Sequence, residues 1–68
     1  MDSIPLARQV AAVRDEISLR HRVYPRFIAG GKMTAEVAAR RIAEMDAVRM
    51  TLEALLEDER RKREPELF

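Results

Sequence analysis

Apolar residues in the first half of the chain fall at Leu6, Val10, Val13 and Ile17, and the same steps continue through Arg20 and Tyr24 to Phe27 and Ile28. Alternating steps of four and three return to one side of an α-helix, whose repeat is about 3.6 residues. The pattern predicts one helical stripe over about residues 4–29. Asp2 or Ser3 is available to cap its first N–H groups, and Pro5 suits a first turn, where no N–H partner is needed. Pro25 falls inside the stripe, where it removes a hydrogen bond and crowds the carbonyl four residues back. A kink or short break is expected near residues 21 to 25. Gly30 or Gly31 then offers the left-handed conformation that closes a helix.

After a turn over 30–33, Thr34 is placed to cap a second helix, with Glu36 favourable at its positive end. The second stripe runs through Ala38, Ile42, Met45, Val48 or Arg49, Leu52, Leu55 and Leu56, which predicts a helix over about residues 34–62, stopped before Pro65. Acid-to-base pairs at the supportive i to i+4 spacing line its outer side: Glu36 to Arg40, Glu57 to Arg61, Asp58 to Lys62 and Glu59 to Arg63. Residues 63–68 read as a fraying tail. Two helices joined by a short Gly-Gly turn fold back on each other, so the expected fold is all-α, a single antiparallel helical hairpin with a Pro-kinked first helix.

Such a hairpin has a core one layer thick, and half of each stripe still faces water. Second flanks are also apolar: Ala11, Ala12, Leu19 and Val23 on helix one, and Val37, Ala47 and Met50 on helix two. Pairing of two hairpins into a four-helix bundle covers both, so a homodimer or a higher even oligomer is expected. Its seam is predicted from Leu6, Val10, Val13, Ile17, Ile42, Met45, Leu52 and Leu55.

The chain length points the same way, because 68 residues lie near the lower limit for a self-sufficient core. Cysteine is absent and histidine occurs once, which excludes disulfides, thiolate sites and any standard zinc site; no metal or cofactor is expected. No apolar run reaches the roughly 20 residues of a membrane span, and Met1 to Pro5 has neither the basic nor the apolar region of a secretion signal. The expectation is a soluble chain in the cytoplasm.

Net charge is only +1, yet residues 17 to 35 contain no acid at all. Arg20, Arg22, Arg26 and Lys32 cluster there with Tyr24, the one tyrosine, and form the candidate binding surface. Cations of this kind hold phosphates and an exposed tyrosine stacks on bases. Helical phase does not put residues 20, 22 and 26 on one side of a straight helix, and Glu36, Glu44, Glu53, Glu57, Asp58 and Glu59 spread negative charge along helix two. A protein that neutralises phosphates along its length is usually more basic. Gly30-Gly31-Lys32-Met33-Thr34 is no phosphate-binding P-loop: Arg26 stands where a glycine is needed, no Ser or Thr follows Lys32 directly, and no strand precedes it. Lys32 and the start of helix two retain some capacity for an anion.

His21 has no Ser, Cys or Asp in a recognisable catalytic spacing, and acids adjacent in sequence, such as Asp15-Glu16, diverge around a helix. No catalytic residue is assigned, and a non-enzymatic role is expected. Arg49 interrupts the second stripe, where a pair across the helices with an acid such as Glu16 would fix register.

Arg22-Val23-Tyr24-Pro25-Arg26, then Gly31-Lys32-Met33-Thr34, then Ala39, Ile42, Ala43, Met45 and Val48, resembles a group of short uncharacterised proteins encoded in phages and prophages of proteobacteria. The likeness covers roughly residues 14 to 56. It implies an accessory phage-type product acting inside a bacterial cell, where proteins of this size bind and redirect a host or phage protein. Nucleic-acid or phosphorylated-ligand binding through the basic bend is the alternative.

Overall fold

The computed structural model describes residues 3 to 63. Two helices, α1 (Leu6–Ala29) and α2 (Ala35–Arg63), pack against each other as an antiparallel hairpin, and the described residues contain no strand.

Helix α1 begins at Leu6, with its stripe and two residues after the expected start near residue 4. Pro5 occupies the N-cap position with extended backbone, φ −60° and ψ 148°, and no side chain caps the helix, so the expected role of Ser3 is not taken up. Asp2 lies outside the described residues. The Pro5 carbonyl accepts from the Arg8 and Gln9 N–H groups at 3.0 and 3.1 Å, while the Gln9 amide side chain reaches back to the Ile4 carbonyl at 2.8 Å. α1 is then unbroken to Ala29, so the chain is helical across Pro25 and the interruption expected near residues 21 to 25 does not occur. Pro25 and His21, the residue whose carbonyl it leaves without an N–H, are both exposed, and a lost helical bond costs least where water can replace it.

The turn between the helices follows from two glycines and a threonine. Gly31 takes the left-handed conformation at φ 74°. The Lys32 N–H reaches the Phe27 carbonyl at 2.9 Å and the Gly31 N–H reaches the Ile28 carbonyl at 3.1 Å, the paired bonds of a Schellman motif. Three residues on, the Thr34 hydroxyl accepts the Val37 N–H at 3.1 Å and caps α2. Chain reversal is thus specified locally, before any contact between the helices.

The interior is thin. Among the described residues only Val10, Tyr24 and Ala38 are buried, with Leu6, Val13, Ile17, Ile42, Met45, Leu52 and Leu56 half-buried around them. The Cα radius of gyration is 16.5 Å. A globule of this length would measure about 11 Å, so most side chains have no interior to enter. Leu55, expected in the seam beside Leu52, is half exposed, and Leu56 takes the inward place.

On the outer side of α2, Asp58 pairs with Lys62 at 3.1 Å and Glu59 with Arg63 at 3.3 Å, as the spacing predicted. Arg61 turns to Asp58 at 3.0 Å instead of Glu57, and Glu36 and Arg40 form no ion pair. No described helix is long and apolar enough to cross a membrane.

Candidate functional site

The basic bend divides into two sets of residues. Tyr24 is 8% exposed and continues the α1 stripe into the seam, its ring 6.2 Å from that of Phe27. Its face is therefore not open for stacking on a base. Arg20 lies over the same ring at 5.9 Å, donates to Glu16 at 2.7 Å and reaches across to the Arg41 carbonyl at 3.2 Å. The Glu16 hydrogen bond, with support from Tyr24 and the charges of Glu16 and Glu44, outweighs the cost of partial burial and raises the Arg20 pKa, so the guanidinium stays charged. Arg20 and Tyr24 accordingly tie the two helices together near the turn. Arg22, Arg26 and Lys32 are exposed and form no ion pair among the described residues, so they remain available to a ligand or partner.

Beside this bend Gly31, Lys32, Met33, Thr34, Val37 and Arg41 line an open groove of about 410 Å³. Arg41 was not singled out by its place in the sequence. It joins Lys32 because residue 41 sits four positions after Val37, on the same side of α2. The groove combines two cations with the first turn of a helix.

Toward the other end a polar bridge spans the seam. Arg14 donates from Nε to Glu53 at 3.0 Å, and Arg49 donates to the second Glu53 oxygen at 2.7 Å and pairs with Asp46 at 2.8 Å. The expected pair of Arg49 with Glu16 is thus replaced. Glu16 is taken by Arg20 four residues along its own helix, and the acids nearest Arg49 are three and four residues away on α2. The link between helices is made by Arg14 and Glu53, each next to the apolar stripe instead of within it. Arg14 above all, then Arg49, holds the Glu53 carboxyl below its usual range, and the Asp46 hydrogen bond leads the causes that raise Arg49.

His21 is exposed, and no group of three or more metal-binding side chains occurs among the described residues. No protein-family model, no curated protein and no solved structure matches the chain.

Proposed function

We propose that this chain is a non-enzymatic protein-interaction module, a helical hairpin that pairs with a second copy as a four-helix bundle and binds a further protein at its basic bend. The observation that carries it is the apolar surface left open: Leu19, Phe27, Ile28, Val48, Met50 and Leu55 are all more than a third exposed, beside an interior of three residues. A chain this small stays folded by adding core, and helix-on-helix association is the means open to a hairpin without cysteine or metal. A local bend of α1 at Pro25 belongs to the same proposal, because it would turn Arg26 toward Lys32. The likeness to phage-encoded proteins supports a bacterial cytoplasmic setting and a host or phage protein as the target to be modulated.

The test is the triple replacement of Arg22, Arg26 and Lys32 by Ala, with helicity, mass and capture of protein from a bacterial lysate followed on one sample. Retained helicity and mass with lost capture is the expected result. Unchanged capture would remove the bend from the function. A second reading rests on the groove, where Lys32 and Arg41 flank the start of α2 as a site for a phosphorylated ligand or nucleic acid. Capture abolished by nuclease, or steeply weakened by salt, would favour that reading.

A further inference from the structure

We infer that the second copy docks on one particular side of the hairpin, the side carrying Val23 and Phe27 of α1 and Val48 and Leu55 of α2. This deepens the dimer proposed above and rests on it. Two bridges between the helices identify the sides. Arg14 meets Glu53 along one edge of the seam, and Arg20 meets the Arg41 carbonyl along the other. Each residue advances about 100° around a helix, so Phe27 and Val23 fall on the Arg20 edge of α1 and Val48 and Leu55 on the Arg41 edge of α2, about a fifth to a third of a turn from the seam. That is the direction in which the next helix of a four-helix bundle lies. Met50, though 60% exposed, falls about a third of a turn the opposite way, beyond Glu53; Ala11 lies on that same Arg14 side, and Leu19 and Ala47 point outward. The second flank expected of helix two at Val37, Ala47 and Met50 is therefore replaced by Val37, Val48 and Leu55.

The two sides differ in chemistry. The Arg14 edge is roofed by the bridge from Arg14 through Glu53 to Arg49 and Asp46, whose charges already have partners. On the Arg20 edge Val48 is 44% and Leu55 50% exposed, with Phe27 similarly open across the seam. The charged residues set among them, Glu16, Arg20, Arg41 and Glu44, sum to zero, and Arg20 is satisfied within its own chain. A strongly acidic or basic partner gains nothing from such a surface, whereas a second copy meets it without net like-charge repulsion. The size also fits: about 36 Å of helix and a width of two helices, about 20 Å, offer roughly 700 Å² on each chain, within the class of stable interfaces.

The natural chain has no cysteine, so single thiols report the side directly. Phe27→Cys, Val48→Cys and Met50→Cys are labelled with a maleimide across a protein concentration series, with mass followed in parallel for the variants and the natural chain. The inference expects labelling at positions 27 and 48 to slow by about tenfold or more as the dimer fills, with position 50 unaffected. A dimer in which 48 stays fast, or in which 50 is protected as well as 48, overturns the choice of side and leaves the dimer standing. A natural chain that keeps a mass of 7.9 kDa at every concentration overturns the dimer itself. Protection that appears only when another protein is added overturns self-docking.

Discussion

Glu53 receives Arg14 from the other helix and Arg49 from its own, and this double engagement sets how the hairpin should respond to acid. Its carboxyl is held below the usual range, chiefly by Arg14, and that of Asp58 by Lys62 and then Arg61. A group whose folded pKa is depressed contributes stability that is present above its unfolded value, near 4.3 for Glu, and lost as pH falls through the folded value. Glu53→Gln should therefore melt below the natural protein at neutral pH, with the two curves converging as pH drops below about 4. A gap that persisted in acid would mean that Glu53 acts through packing. At the turn, Gly31→Ala places a Cβ on a left-handed residue and should cost about 1–2 kcal/mol, although the space around Gly31 is empty. Thr34→Ala removes the α2 cap and should cost about 1 kcal/mol. Chemical denaturation of both variants at one protein concentration measures these losses.

At the scale of the helices, the seam should tolerate no unpaired charge. Ile42→Asp or Leu52→Asp forces a carboxylate into the half-buried inward side of α2 and should unfold or dissociate the protein, a loss of at least about 2–3 kcal/mol. Glu57→Ala and Arg61→Ala, both on exposed positions, should barely move a circular dichroism melt. The opposite ranking would contradict the phase of α2. Both helices, the glycine turn and the Thr34 cap are legible from spacing, because each depends on residues within a turn or two of one another. The continuity of α1 through Pro25 is not, since it depends on whether the lost hydrogen bond faces solvent. Leu55 and Leu56 could not be separated either: adjacent residues lie about 100° apart, and only the partner helix decides which one is inward. Among the candidate site residues, Arg22, Arg26 and Lys32 are exposed as expected, while Arg20 and Tyr24 are drawn into the seam. Tyr24 continued the Leu6 to Ile17 stripe, which was the signal for its burial. Arg14, Glu53 and Arg41 gave no such signal, because their pairing depends on the antiparallel register.

The whole molecule is a hairpin with Cα extents of 58 × 28 × 16 Å, one helix thick in its shortest dimension. Everything proposed for it follows from that thinness: two helices alone leave an apolar side uncovered, and the proposed second copy would both add core and present two basic bends to a target. The measurement that bears most directly on this is sedimentation equilibrium of the natural chain at micromolar concentration, with thermal melts across a dilution series. A mass of at least twice 7.9 kDa and a midpoint that rises with protein concentration are the predicted results. A folded particle of 7.9 kDa with a cooperative melt independent of concentration would contradict it.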